Sequence, residues 1–74
     1  MATLSKEEKI QIINSHKRNL EYRKYGLELD VMEESAKSSP NSDAVNVFQT
    51  SISDINDQLA VLNSELATVN ALTE

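Results

Sequence analysis

Residues 45–72 read VNVFQTSISDINDQLAVLNSELATVNAL. Val45, Phe48, Ile52, Ile55, Leu59, Leu62, Leu66 and Val69 stand three and four residues apart in strict alternation. Both seam positions of four successive heptads are therefore apolar. A repeat averaging 3.5 residues falls short of the helical 3.6, so the stretch predicts a left-handed coiled-coil seam. The heptad is also a textual repeat. Ile55-Asn56-Asp57-Gln58-Leu59-Ala60-Val61 is echoed by Leu62-Asn63-Ser64-Glu65-Leu66-Ala67-Thr68, then by Val69-Asn70-Ala71-Leu72. Gln49, Asn56, Asn63 and Asn70 each follow a seam residue. They are either tolerated at the edge of the seam or hydrogen-bonded across an interface that sets register.

A seam needs a partner, and the first half of the chain supplies one. Ile10, Ile13, Leu20, Leu27 and Val31 follow the same spacing, with Lys17 and Lys24 filling its gaps. Between the halves lies Ser38-Ser39-Pro40-Asn41-Ser42-Asp43, the one cluster of turn-forming residues in the sequence. Folding the chain back there pairs Ile10 with Val69, Ile13 with Leu66, Lys17 with Leu62 and Leu20 with Leu59. It also pairs Lys24 with Ile55, Leu27 with Ile52, Val31 with Phe48 and Glu34 with Val45. The two residue numbers of every pair have the same total, so the two periodicities mirror each other about the turn. Independent helices have no reason to obey this. The lysines would lay their methylene stems along the seam and keep the ammonium groups in water.

The expected fold is all-α: residues 1–74 form one antiparallel two-helix hairpin, a helical coiled coil that assembles into a larger bundle. Helix 1 is expected at about 5–38, the turn at about 38–42 and helix 2 at about 40–72. Ser5 and Glu8 have the spacing of a capping box. Pro40 suits the first turn of a helix, where its missing N–H costs nothing, with Ser39 as the cap before it or Ser42 as the alternative. Asp43 suits the start of helix 2, and Lys37 the negative end of the helix 1 dipole. At 1.5 Å per residue each arm would reach roughly 50 Å.

One helical partner does not cover everything apolar. Tyr22, Tyr25, Leu29, Met32 and Ala36 form a second stripe on helix 1, roughly 100–180° around from the seam. Val47 and Val61 are among the apolar residues off the seam of helix 2. The stripe either decorates the surface or is buried against a copy of the hairpin or another protein. A chain of 74 residues has little core of its own, which favours association. The expected protein interface is Tyr22, Tyr25, Leu29, Met32, Val47 and Val61. Gly26, inside this region, either lets a partner's backbone approach closely or marks a kink.

Charge is divided unevenly. The net charge is −5, yet all Lys and Arg residues precede Ser39, and the second arm carries acids only. Lys17, Arg18, Arg23 and Lys24, with Tyr22 and Tyr25, make a basic and aromatic patch that could meet an acidic protein surface. Such patches also track phosphates, but the acids Glu28, Asp30, Glu33 and Glu34 follow closely and argue against nucleic acid. Arg18–Glu21 and Glu21–Tyr25 have the spacing of local helix contacts.

Chemistry finds little to use. The chain has one histidine, His16, and no cysteine, so it has neither a disulfide framework nor thiolate metal ligands. No Glu-x-x-His pair accompanies the carboxylates, and no glycine-rich phosphate loop occurs. The sequence points away from an enzyme and calls for no catalytic residue, cofactor or metal. No apolar run is long enough to span a membrane and none reads as a signal peptide. The expectation is a soluble protein, cytoplasmic or within a virus particle.

The start Met1-Ala2-Thr3-Leu4-Ser5-Lys6-Glu7-Glu8, followed by a hairpin whose second arm is rich in Ser, Thr, Asn and Ala in regular heptads, resembles small accessory structural proteins of tailed-phage particles. The resemblance implies a non-enzymatic role in a symmetric assembly of many copies, and carries over no site residue. The leading expectation is a structural or assembly protein that self-associates or docks on a larger complex, as a virion component would. The alternative is a regulatory adaptor or inhibitor that binds one partner protein through the basic patch.

Overall fold

A computed structural model describes residues 3–73. It contains two α-helices, α1 at Lys6–Ser35 and α2 at Ser42–Asn70. They pack along each other as an all-α hairpin measuring 58 × 18 × 15 Å. Register shows at the open end, where the Lys6 ammonium donates to the Leu72 carbonyl at 3.1 Å, one residue from the register read from the heptads.

Burial follows the seam. Ile13, Ile55 and Val69 form the buried core, with Ile55 only 2% exposed. Every other seam position, Lys17, Lys24 and Glu34 included, is half-buried. Two helices shield only one side of each seam residue, which explains why so few close off completely. Ile55 is the deepest described residue although the heptad register pairs it with Lys24, itself half-buried; a lysine at a seam can lend its methylene stem as apolar cover.

The N-terminus of α1 is built as the sequence indicates. The Ser5 N–H donates to Glu8 Oε1 at 3.0 Å, and the Glu8 N–H donates to Ser5 Oγ at 3.1 Å. The hydrogen bond from the Ser5 N–H, and secondarily one from the Ser5 side chain, hold the Glu8 carboxyl below the usual glutamate range. α1 runs without interruption through Gly26.

The corner differs in detail from expectation. α1 ends at Ser35, before residue 38, and α2 begins after Pro40. The cap of α2 is Asn41, neither Ser39 nor Ser42, and its side-chain oxygen accepts from the Ala44 N–H at 3.1 Å. Asparagine is among the best N-caps, and with Asn41 in that role Pro40 precedes the helix, where it disfavours helical backbone at Ser39. Glu34 closes the corner from the other side. One of its oxygens accepts from the Asn41 N–H at 3.0 Å and the other from the Lys37 ammonium at 3.0 Å. Lys37 thus sits beyond the last turn of α1, as partner to a side chain and outside the helix it was expected to complement. The Asn41 N–H, and secondarily Lys37, keep the Glu34 carboxyl below its ordinary range.

The exposed surface is 5526 Å², whereas a compact monomer of 8.3 kDa exposes about 4,600 Å². The radius of gyration is 17.1 Å, against about 11 Å for a compact chain of this length. The hairpin therefore carries roughly 900 Å² more surface than a globular fold of its mass.

Candidate functional site on the outer face of the first helix

The heptad that turns Ile13, Lys17, Leu20 and Lys24 toward α2 turns Tyr22 and Leu29 directly away from it. Tyr25 and Met32 lie beside them, about 130° from the seam. Tyr22 is 66% exposed, Tyr25 and Met32 60% each, and Leu29 38%. The four make one apolar strip about three turns long on a continuous helix. Arg18 extends it: its guanidinium lies 4.9 Å from the centre of the Tyr22 ring and 3.8 Å from the Glu21 carboxylate. An exposed cation on a ring contributes about 0.5–1 kcal/mol. Its effect is to fix the edge of the strip.

Gly26 adjoins this strip. On the helix surface its neighbours at i−4 and i+3 are Tyr22 and Leu29. Its φ is not positive, and a Cβ added there would meet nothing within 4 Å. Neither backbone conformation nor packing inside the hairpin calls for a glycine.

Val47 and Val61 are exposed as well, but not on this face. Val61 opens onto a groove of about 470 Å³ with His16, Asn19, Leu20, Arg23, Gln58 and Leu62. That groove follows the opposite flank of the hairpin from Tyr25 and Met32, and Val47 occupies the same heptad position as Val61. The residues expected to form one interface thus fall on two sides, with the tyrosine strip the coherent part.

The basic patch is also dispersed. Lys17 and Lys24 lie half-buried along the seam, Arg18 is engaged with Glu21 and Tyr22, and Arg23 lines the groove with His16. Leu4 and Ile12, also exposed, fall on neither stripe, and exposed Leu72 closes the heptad echo of the second arm. The Arg18–Tyr22 stack had one, its i,i+4 spacing. Among the described residues no three His, Asp or Glu side chains converge as metal ligands. No helix there is long and apolar enough to cross a membrane. No protein-family model, curated protein or solved structure matches the chain.

Proposed function

We propose that this hairpin is a non-enzymatic structural or assembly protein, which docks through the outer face of α1 on copies of itself or on a larger protein complex such as a virus particle. The observation that carries this reading is the contiguous exposed strip of Tyr22, Tyr25, Leu29 and Met32 on an unbroken helix. Exposed apolar patches of this kind mark interaction sites. The surplus surface of the rod adds support, because association is the way such a chain increases its buried area. So does the second arm, whose outer positions are Ser, Thr, Asn, Gln and Ala with few charges. The adaptor reading has weaker support, since Lys17, Arg18, Arg23 and Lys24 do not converge on one surface.

The test is a tagged chain carrying Tyr25→Asp with Met32→Asp. Circular dichroism should show helicity close to wild type, because both positions face away from the seam. The variant should no longer be recovered within a larger assembly from its native source, and its own mass by light scattering should not exceed one chain. Equal recovery and equal mass would overturn the assignment of this face. Rising salt should leave the wild-type association largely intact, whereas binding through the dispersed cations would weaken steeply.

A further inference from the structure

We propose that the groove beside Arg23 takes a third helix: an amphipathic segment of a partner protein, apolar along one stripe and carrying a carboxylate where it meets His16 and Arg23. This surface lies on the opposite flank from the tyrosine strip and is a second contact, independent of the docking face on α1.

Two packed helices leave a groove on each flank of their seam, and the heptad makes the two grooves unlike. On the flank of Tyr25 the seam edge of α1 holds Lys17 and Lys24, bordered by Glu21 and Glu28 and, on α2, by Asn56 and Asn63. On the other flank the seam edge is Leu20 and Leu27 on α1 and Leu62 on α2. All three line open grooves and are only half-buried. The hairpin thus leaves one side of its own apolar seam uncovered, and the cover that fits between two helices is another helix.

The groove of about 470 Å³ at His16, Leu20 and Val61 and a second of about 410 Å³ at Gly26, Leu27 and Asp30 share Arg23 as a wall. Together they run from His16 to Asp30, about 21 Å at 1.5 Å per residue, or about four turns of a docked helix. Gly26 lines the second groove, and a Cβ there would meet nothing within 4 Å. A bulky side chain of the incoming helix has room to seat over it.

Charge sets what that helix carries. Among the described residues, His16 and Arg23 are the only ionisable side chains lining the larger groove. Neither is held by an ion pair or a side-chain hydrogen bond there, unlike Arg18, which is engaged with Glu21 and Tyr22. The groove therefore offers an unopposed guanidinium beside an apolar floor, and a carboxylate on the partner is its complement. Asp30, one heptad on, lines the smaller groove, so a base seven residues along the same stripe completes the match. Asp54 and Glu65, the acids of α2 on this flank by heptad position, line neither groove.

Two synthetic helical peptides of about 18 residues, above the length at which isolated helices become marginal, are the probes for the full-length chain. Both carry leucines at successive seam positions; one has glutamate at the position facing Arg23 and the other lysine. The glutamate peptide should bind about three- to tenfold more tightly at low salt. Amide chemical shifts of the isotope-labelled chain should move at Asn19, Arg23, Gly26, Gln58 and Val61. Arg23→Glu should reverse the preference. Gly26→Leu, which fills the open space with a good helix former, should weaken both peptides while helicity holds. Equal affinity for the two peptides, an unreversed preference in Arg23→Glu, or no binding of either up to about 1 mM overturns the proposal. So does a chain that self-associates in light scattering and becomes single on Val61→Asp, since the groove then holds a second copy. Tyr25→Asp with Met32→Asp should leave peptide binding unchanged; loss of binding in that variant puts the site on the tyrosine strip and overturns the groove assignment.

Discussion

Replacing Ile55 by alanine tests the packing of the hairpin most directly. Ile55 is the most deeply buried residue, at 2% exposure, and the substitution removes three carbons from the seam. At about 0.8 kcal/mol per buried methylene the transfer loss is roughly 2–3 kcal/mol. The cavity contribution should be small, because a two-helix seam open to water at its edges can relax around the gap. A chain of this length has about 4–11 kcal/mol of stability in total. For a domain this small each kcal/mol shifts the melting temperature by about 4–8 °C, so Ile55→Ala should melt about 10–20 °C below wild type. Val61→Ala is the matched control: same helix, six residues on, 68% exposed. It gives up little burial and gains helix propensity, so its stability should change by less than about 0.5 kcal/mol. Thermal melts by circular dichroism, at one protein concentration, measure both. If the two variants lose the same amount, the seam does not run through Ile55 and the pairing described above is wrong.

Two further outcomes follow from the same geometry. Leu59→Asp and Leu62→Asp each put an unpaired charge at a seam level, and either chain should lose most of its helical circular dichroism at 25 °C; retained helicity would refute the seam assignment at these positions. Glu8 and Glu34 both titrate below the usual glutamate range, so the folded chain binds fewer protons there than the unfolded chain. Their contribution to stability is therefore present above the ordinary glutamate pKa of about 4.3 and is lost as pH falls through the lowered folded values. The melting temperature should decline on acidification below about pH 4.5, and less steeply in a Glu8→Gln, Glu34→Gln variant; an unchanged slope would show that neither carboxylate is held in the folded state as described.

The fold was legible because two signals agreed. The eight-residue seam from Val45 to Val69 required a partner, and the mirrored spacing from Ile10 to Glu34 identified one in the same chain. Lys17 and Lys24 interrupt the apolar pattern without breaking it, since a long stem can occupy a seam position that its charge leaves. The corner was less legible. Ser39, Asn41 and Ser42 are all competent caps, and the choice of Asn41 depends on where the Glu34 carboxylate finds an N–H, a contact across the turn that local propensity does not encode. The outer strip was visible as the spacing of Tyr22, Tyr25, Leu29 and Met32. The separation of Val47 and Val61 from it was not, because which flank of α2 adjoins which flank of α1 depends on the handedness of the packed pair. Gly26 was conspicuous in the sequence, but only the open space around it shows that the hairpin itself has no use for it.

The corner has a consequence for the order of events in folding. The Glu34–Asn41 contact joins residues seven apart, whereas the Lys6–Leu72 contact spans 66. Loop-closure entropy rises with the logarithm of the span, and closing the longer loop first would cost about 2 kcal/mol more. The hairpin should therefore zip from its closed end toward its free ends. Lesions near Glu34 would then act on the rate of folding, and lesions near Ile13 or Val69 on the rate at which the arms come apart.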